Sequence, residues 1–420
     1  MMPGKAQVLL AHPGTQYAPR LAAELERHGM LKHFVTGMAV TEDGLLGAID
    51  RCMPAGLRRR WENRRISGVP AARLRTFPRL EWNALCQVRQ GLAAEQVFFE
   101  RNAAFQRVIP DAWISEASHV IGFDTSSWLL AARAQQQGRP FILDQSIGHP
   151  LAKEQVYASL RTRFSEWAET VPRKGPEDIA REQQEHTLAT TVVVPSGFVR
   201  RTLIEHGVAG EKIRIIPFGT DLALFQPAKT PAPGPVAFLF TGTLTARKGV
   251  PVLLQAWQEA SLHGRAELWL AGSGRVPPSA TATEGVRWLG ALSRPELAAT
   301  MQRAHVFVCP SFFEGLAQVQ VEALASGLPV LGTSASGADE IVVPGETGFV
   351  LEPGDVAALV AELQRLAGDS DLRSAMRARC IQRREALGWL PYGLRWRDLL
   401  GGYRQDHDRA GRHVVESIAR

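Results

Sequence analysis

The chain has 420 residues, of which 45% are hydrophobic and 21% are charged, and its formal net charge is +6. This composition excludes disordered, collagen-like and disulfide-scaffold chains, and the length predicts two or three domains at about 150 residues each. No apolar run reaches the roughly 18 residues that a membrane-spanning helix needs, and the first residues do not form a secretory signal pattern. The cysteines are too scattered for a zinc site or a disulfide framework, which favours a reducing cytoplasm; they are Cys52, Cys86, Cys309 and Cys380.

In the first half, short apolar runs alternate with helical patterns, as is typical of βαβ units around a parallel sheet. The predicted strands cover residues 6–11, 33–36, 119–123, 141–144, 191–194 and 213–217. Helical patterns between them include residues 16–27, 126–137 and 198–206. The alternation predicts one α/β domain over residues 1–225.

A proline-rich segment, residues 226–235, comes next and is the predicted linker. The alternation then restarts, with predicted strands at residues 236–241, 266–271, 286–289, 305–309, 329–332 and 349–351. This predicts a second α/β domain over residues 236–391 and a helical tail, residues 392–420, that crosses back to the first domain. Two such domains imply a cleft, with ligands at the carboxyl ends of the strands.

The stretch from Arg51 to Arg79 holds nine arginines and a single acid, Glu62, with Trp61 and Phe77 among them. Such a stretch suits nucleic acid, an anionic membrane surface or an acidic substrate. The alternative is a solvated surface. No nucleic-acid recognition motif accompanies it, so we expect no nucleic-acid partner and predict contact with an anionic membrane. The predicted location is the cytoplasm, with peripheral attachment to the inner face of the membrane.

The most informative segment is residues 305–329. A buried strand ends near Pro310, a loop carries Glu314, and a helix is predicted over residues 316–326 with Gly327 just after it. A helix that begins at a strand's carboxyl end offers free N–H groups and a positive dipole end to phosphate. Glu322 follows Glu314 by about 12 Å at helical rise. Two carboxylates beside a phosphate site suit sugar hydroxyls at one end and ribose hydroxyls at the other.

This segment resembles the Glu-x7-Glu signature of the retaining nucleotide-sugar glycosyltransferases of family 4, which have the GT-B fold. Further resemblances run along most of the chain: Val194-Pro-Ser-Gly-Phe-Val-Arg, Ile215-Ile-Pro-Phe-Gly-Thr-Asp, Phe240-Thr-Gly-Thr-Leu-Thr-Ala-Arg-Lys-Gly, Leu331 to Glu340, and Gly345-Glu-Thr-Gly-Phe-Val. The resemblance implies an α/β GT-B architecture. In it two facing Rossmann-like domains with parallel sheets enclose an interdomain cleft, and a C-terminal helix packs back.

The resemblance also implies roles for three residues. Glu314 would contact hydroxyls of the donor sugar, Glu322 would hold the ribose, and Lys248 would neutralise the diphosphate. Lysine is scarce in this chain, and Lys248 is its last one, which supports a special role. The alternative is an ordinary surface lysine in a loop.

Several positions depart from the family pattern. Thr243 stands where the family has a phosphate-binding arginine, and we expect Arg247 to compensate in part. Leu316 and Ala317 replace the aromatic residue and the glycine that usually follow the first glutamate. The expected donor-binding residues are Glu322, Arg247, Thr243, Gly315, Leu316, Ala317, Gln318, Gly14 and Gly272.

Other candidates lie at predicted strand ends. His149 occupies the place where the family carries a histidine facing the donor sugar; the alternative is a loop histidine packed beside Pro150. Gly14 would allow a close approach of the backbone to a ligand, and Gly272 either lines the nucleotide or forms a tight turn. Asp124 and Asp144 are acceptor-site candidates or helix caps.

No metal site and no cofactor are expected. Two pairs, Asp369 with Asp371 and Asp406 with Asp408, have the Asp-x-Asp spacing of the other glycosyltransferase fold. They stand in helical patterns, where aspartate is a cap or a solvated residue.

The predicted function is retaining transfer of a sugar, hexosyltransferase-type, from a nucleotide diphosphate sugar to a saccharide or lipid-linked acceptor hydroxyl, in polysaccharide or glycolipid assembly. The alternatives are another GT-B enzyme, such as a nucleotide-sugar epimerase or a sugar phosphorylase, and a non-catalytic nucleotide-sugar-binding protein. A phosphorylase would need a cofactor lysine or a second phosphate site, and the sequence offers neither. Retention of Lys248, Glu314 and Glu322 argues against the non-catalytic alternative.

Overall fold

A computed structural model describes residues 5–14, 16–41, 64–230, 232–262 and 264–402 of the chain. These residues form two compact units. The first contains the described residues up to Gln145, together with Ala180–Val193 and the described residues from Tyr392 to Gly402. The second contains Ser146–Ile179 and Val194–Pro391.

The first unit is built around a parallel sheet with strand order β5-β2-β1-β6-β7-β8. Strands β3 and β4 form a separate parallel pair. The strands are β1 (Val8–His12), β2 (Leu31–Thr36), β3 (Val40–Thr41), β4 (Arg65–Ile66), β5 (Leu74–Thr76), β6 (His119–Phe123), β7 (Phe141–Asp144) and β8 (Thr191–Val194). The central strands β1, β6 and β7 are buried along their whole length, as expected for a parallel sheet that helices cover on both faces.

The second unit has a six-stranded sheet with order β12-β11-β10-β13-β14-β15, parallel in every pair. The strands of this unit are β9 (Ile213–Ile215), β10 (Val236–Thr241), β11 (Ala266–Ala271), β12 (Val286–Gly290), β13 (Val306–Cys309), β14 (Val330–Thr333) and β15 (Gly348–Leu351). A buried apolar cluster lies on each face of this sheet, one around Phe238 and Trp257 and the other around Leu239 and Phe307.

The α-helices of the described residues, in order, are α1 (Ala18–Arg27), α2 (Pro78–Arg89), α3 (Ala94–Val108), α4 (Asp111–Ser115), α5 (Trp128–Gln136), α6 (Pro150–Arg163), α7 (Pro176–Leu188), α8 (Gly197–Glu205), α9 (Val250–Ala260), α10 (Pro278–Thr281), α11 (Arg294–Met301), α12 (Gln318–Ala325), α13 (Val356–Gly368) and α14 (Ser370–Arg383). Residues 389–402 are also helical. In the described ranges, no helix combines the length and the apolar composition that a bilayer crossing requires.

Each predicted strand is present, with ends that differ by a few residues. The short strands β3, β4 and β5 were not predicted, because two or three residues cannot display an alternating pattern. The helix predicted from about residue 316 is also present, with its start two residues later. Helix α12 begins at Gln318, since the backbone of Ala317 is extended and its N–H bonds to the carbonyl of Ser336 instead (3.1 Å).

The compact units do not follow the predicted limits at residues 225 and 236. Helix α6 belongs to the second unit because Tyr157 and Leu160, together with Trp167, are buried in its core. The predicted linker, residues 226–235, is also tied to that unit: Gln302 donates to the carbonyl of Gln226 (3.1 Å). From Tyr392 on, the last helix belongs to the first unit, where Gly393 packs directly against Glu24.

Much of the basic stretch, including Arg51, Arg58, Arg59 and Arg60, lies outside the described residues. Two of its described members are already paired with acids: Arg64 with Glu81 (2.8 Å) and Arg73 with Glu26 (3.7 Å). A third, Arg75, lies over the indole ring of Trp113, 5.7 Å from its centroid. These three arginines therefore have structural contacts within the first unit.

Candidate active site

The chain order of the second sheet places a site between β10 and β13. From β10 the chain adds β11 and then β12 on one side, and it returns to place β13 on the other side. In open parallel sheets, the carboxyl edge beside such a reversal is where ligands bind. The loops that leave β10 and β13 at this edge carry Lys248 and Glu314.

Backbone contacts hold these two loops together. The N–H of Phe312 donates to the carbonyl of Arg247 (2.8 Å). Gly249 has a left-handed backbone with φ of 73°, and a Cβ there would overlap the carbonyl of Pro310. Only glycine fits this position without strain. Helix α9 therefore begins against the loop that follows β13.

Gly272 has a similar packing role. It follows β11 with φ of 151°, and a Cβ there would overlap the carbonyl oxygen of Gly242. The close approach of two backbones accounts for this glycine, in line with the tight-turn alternative. Its prediction as a nucleotide-lining residue remains a prediction.

Three charged side chains meet at the joined loops. The ammonium Nζ of Lys248 lies 2.7 Å from Oε1 of Glu314, and the guanidinium of Arg247 bonds to the same oxygen. Arg247 also donates to the carbonyl of Phe313 (3.0 Å). Two cations around one carboxylate leave an excess of positive charge in a half-buried place, where an anion is stabilised more strongly than in bulk water. We call Arg247, Lys248 and Glu314 the ion cluster.

The backbone around Glu314 is fixed on both sides. Its N–H donates to the carbonyl of Ala335 (2.8 Å). The carbonyl of Gly315 accepts from the hydroxyl of Ser196 (2.5 Å), and a Cβ at Gly315 would overlap the carbonyl of Ser146. The loop is thus locked in place, with Glu314 held towards Lys248.

Tyr157 belongs to this neighbourhood, although the sequence did not single it out. Burial raises the pKa of its phenol, the charge on Arg247 lowers it, and that on Glu314 raises it. The side chain projects from α6, and its position in the sequence carries no motif that would have revealed it.

Glu322 is the fifth residue of α12 and is almost completely buried, with 2% of its surface exposed. Its Oε1 lies 3.0 Å from Nη1 of Arg294, the first residue of α11. Burial raises the pKa of this carboxyl to about 7, against the opposing effect of Arg294. Sequence analysis missed Arg294; the available signal was an arginine in the first turn of a helix, where positive charge is unfavourable.

His149 is also almost completely buried and is the N-cap of α6. Its Nδ1 accepts from the N–H of Leu151 (3.2 Å), and its ring stacks on that of His206 at 4.4 Å. Burial, and then the charge of His206, lower the pKa of His149 to about 4. The imidazole is therefore neutral at physiological pH, with its proton on Nε2. The residue before it, Gly148, packs against Phe313, so this segment lies against the loop of Glu314.

The remaining donor-site candidates are less distinctive. Thr243 is exposed, whereas Leu316 and Ala317 are buried, and Gln318 is half-buried at the start of α12. Gly14 lies in the first unit, where its N–H donates to Nδ1 of His12 (3.0 Å).

The two strand-end aspartates lie in the first unit, and neither is a helix N-cap. Asp144 accepts from the hydroxyl of Tyr17 (2.9 Å), and burial raises its pKa well above the ordinary value. Asp124 is buried beside it, at the carboxyl end of β6. The helix-cap alternative is therefore wrong for both, and their role as acceptor contacts remains a prediction.

Asp369 is the N-cap of α14 and accepts from the N–H of Leu372 (2.8 Å), which confirms its structural role. Asp371 lies in the first turn of the same helix. The other aspartate pair, Asp406 and Asp408, lies outside the described residues.

Comparison with known proteins gives this site a family. The model of the family "Glycosyl transferases group 1" matches residues 235–369, which contain the ion cluster, Glu322 and Arg294. Residues 235–369 are a group 1 glycosyltransferase domain. The prediction of a glycosyltransferase is confirmed for this part of the chain, and the retaining mechanism stays a prediction.

Curated relatives of the group 1 domain include the MMP alpha-(1->4)-mannosyltransferase of Mycolicibacterium hassiacum. It is 27% identical over 237 residues, which are 54% of this chain and 56% of that protein. The chain spans about half the length of the curated relatives that it matches.

Solved structures resemble the chain over nearly its whole length. Sucrose-phosphate synthase from Thermosynechococcus elongatus has a TM-score of 0.61 at 20% identity, covering 96% of this chain and 100% of that one. HepE from Anabaena, solved in complex with UDP, has a TM-score of 0.63 at 15% identity, covering 94% and 100%. These similarities confirm the predicted fold class, an α/β chain of the GT-B type with parallel sheets.

Proposed function

We propose that the chain is a retaining glycosyltransferase. It moves a hexosyl group from a nucleoside diphosphate sugar to an acceptor hydroxyl. The observation that carries the proposal is the ion cluster: two cations, Lys248 and Arg247, gathered on Glu314 at the carboxyl edge of a parallel sheet.

In the proposed reaction, the bond between the anomeric carbon and the diphosphate oxygen breaks, and both electrons go to that oxygen. The acceptor oxygen forms its bond to the same carbon on the same face, and its proton passes to the departing phosphate. The growing negative charge on the diphosphate is the quantity that a catalyst must stabilise. Lys248 and Arg247 would do this, the second in place of the arginine that Thr243 replaces.

Glu314 would have two states in this scheme. Without donor, its carboxylate neutralises the two cations. When the diphosphate arrives, its oxygens replace the carboxylate on Lys248 and Arg247. Glu314 is then released to accept hydrogen bonds from hydroxyls of the sugar, which a charged acceptor makes stronger.

His149 would face the donor sugar from the segment that packs on Phe313. Since its Nδ1 accepts from the N–H of Leu151, the neutral ring would direct Nε2–H, and not Nδ1, to a sugar oxygen. A neutral donor suits this place, since a charged imidazolium would compete with the two cations for the diphosphate.

The proposal includes no metal or other cofactor, since Lys248 and Arg247 would meet the charge on the diphosphate. The acceptor would be a saccharide or a lipid-linked saccharide, in polysaccharide or glycolipid assembly. Contact with an anionic membrane would bring such an acceptor close to a cytoplasmic enzyme. Since Arg64 and Arg73 are paired with acids, that contact would depend on other arginines of the stretch from Arg51 to Arg79.

The test is incubation of the full chain with UDP-sugars and GDP-sugars, with and without saccharide acceptors. We expect consumption of one donor, release of nucleoside diphosphate and a product with unchanged anomeric configuration by NMR. An epimerase would interconvert donors without net sugar transfer, and a phosphorylase would need inorganic phosphate and form a sugar phosphate. Binding of donors without any turnover would favour the non-catalytic alternative.

Glu322→Ala is expected to weaken binding of the bare nucleoside diphosphate by about 1.5–3 kcal/mol, the free energy of a hydrogen bond to a charged group. The measurement is isothermal titration calorimetry. The matched control is Glu259→Ala, because Glu259 is an exposed carboxylate of the same unit. This variant should bind the nucleoside diphosphate as the parent chain does. Unchanged affinity in the Glu322 variant would refute the ribose assignment.

A further inference from the structure

An ion pair with Arg294 accompanies the burial of the Glu322 carboxylate. Glu322 is 2% exposed, whereas the side chain of Arg294 is 51% exposed. An isolated buried charge is very costly, and the usual outcome is neutralisation by proton uptake. Within the described ranges, Arg294 is the only ion-pair partner of Glu322. The charge of this carboxylate therefore depends on one arginine at the surface.

The fold holds Arg294 firmly despite its exposure. It is the first residue of α11, whose start is fixed by a capping box in which Ser293 N–H donates to Glu296 (2.7 Å). Its guanidinium lies over the buried ring of Phe225, 5.1 Å from the centroid. A cation–π contact on one side and the carboxylate on the other leave the guanidinium little freedom.

Helix stability does not explain this arginine. The first turn of a helix favours negative side chains, because the free N–H groups give that end a partial positive charge. An arginine at this position opposes the dipole of α11. Its contact with Glu322 offsets that disadvantage. This indicates that the pairing with Glu322, and not the stability of α11, accounts for an arginine at this position.

We propose that Arg294 is a positioning residue for the nucleotide: it favours the ionised form of Glu322 and orients its carboxylate so that ribose hydroxyls meet an acceptor. The inference rests on the proposed function, since it concerns the ribose end of the same site. Arg294 does not replace Glu322 as the contact. It acts through Glu322.

The electrostatics agree with the geometry. Burial raises the pKa of Glu322 to about 7, and Arg294 is the charged group that opposes this effect. At the other end of α12, Arg384 donates to the backbone carbonyl of Ala325 (3.1 Å), and its ion pair is with Glu385. Without Arg294, the pKa would rise further, and Glu322 would carry a proton at physiological pH. A protonated carboxyl has lost much of its capacity to accept hydrogen bonds.

The first experiment measures the affinity of UDP and GDP by calorimetry between pH 5.5 and 9. The variants are Arg294→Gln, Arg294→Lys, Glu322→Gln and, as control, Arg287→Gln, in which an arginine of similar exposure loses its ion pair with the less buried Glu267. Each variant is compared with the parent chain at the same pH, because the terminal phosphate of the ligand itself titrates near pH 6.

For Arg294→Gln, we expect affinity on the order of tenfold weaker at pH 7, the scale of one hydrogen bond to a charged group. The deficit should shrink as the pH rises and Glu322 ionises. Arg294→Lys should keep the parent's pH profile, since it keeps the charge, and Arg287→Gln should match the parent throughout. A deficit of the same factor at every pH would mean that Arg294 only packs, and it would overturn the proposal.

A second experiment needs no ligand and separates this inference from the proposed function. In the folded chain Glu322 keeps its proton up to about pH 7, whereas the unfolded chain loses it near 4.5. Its contribution to folding stability therefore falls as the pH rises through this window. The difference in unfolding free energy between parent and Glu322→Gln traces this titration.

The same difference in unfolding free energy is then measured in the Arg294→Gln background. We expect the upper pH limit of its pH-dependent range, which the pKa of Glu322 in the folded chain sets, to move to higher pH. An unmoved limit would overturn the role of Arg294, whatever the chain binds. If the limit moves but the parent chain binds neither UDP nor GDP, the proposed function fails while the control of Glu322 by Arg294 stands.

Discussion

Lys248→Ala is expected to lower the rate of sugar transfer about 100-fold or more, the scale for removing one group that stabilises charge in the transition state. Lys248 lies 2.7 Å from Glu314 at the carboxyl edge of the sheet, and its side chain is 14% exposed. In this half-buried place a positive charge near the departing diphosphate acts through a lower dielectric than at the surface.

The fold should survive this change. Glu314 keeps the guanidinium of Arg247 as partner, so no carboxylate is left buried without a cation. The control is Lys229→Ala, an exposed lysine of the same unit, which should transfer sugar at the parent rate. Thermal unfolding should be nearly equal for parent and both variants. A loss of activity below threefold would remove Lys248 from the mechanism.

Glu314→Gln is expected to lower the rate of sugar transfer without weakening the binding of the nucleoside diphosphate. Transfer should fall on the order of 100-fold, because the sugar loses a charged acceptor that fixes its orientation. Affinity for the bare nucleoside diphosphate should stay the same or increase. The reason is that the neutral amide no longer competes with the diphosphate for Lys248 and Arg247.

Calorimetry with the nucleoside diphosphate and a transfer assay with the intact donor test this on the same preparation. Glu169→Gln breaks an ion pair with Arg275 that is far more exposed, and it should alter neither quantity. If Glu314→Gln weakens nucleoside diphosphate binding as much as it slows transfer, the carboxylate does not compete with the ligand. The two-state scheme for Glu314 would then be wrong.

Sequence patterns located most of the sheets and much of the ion cluster. The apolar runs predicted the strands because a buried parallel strand needs nearly continuous apolar residues, as β10 and β13 show. Lys248 and Glu314 were identified because each stands in a motif of contiguous residues. Each motif can be recognised by itself, although the two loops are distant from each other along the chain.

What the sequence could not predict are contacts between residues without a shared motif. The pair of Arg294 with Glu322 joins two helices, and the role of His149 as N-cap depends on where α6 begins. The assignment of α6 to the second unit follows from the burial of Tyr157 and Trp167 in its core. Each of these depends on the folded arrangement of helices, which local periodicity does not encode.

The close backbone contacts of Gly249 and Gly272 fix the path of the loop after β10 independently of its exposed side chains. Because the loop is held by backbone against backbone, at Pro310 and at Gly242, its path does not depend on the side chain at the exposed Thr243. Evolution could exchange an arginine for a threonine there without rebuilding the loop. Residue 243 is therefore a natural starting point for laboratory selection of altered donor preference, since a library at that position samples different chemistry on an unchanged scaffold.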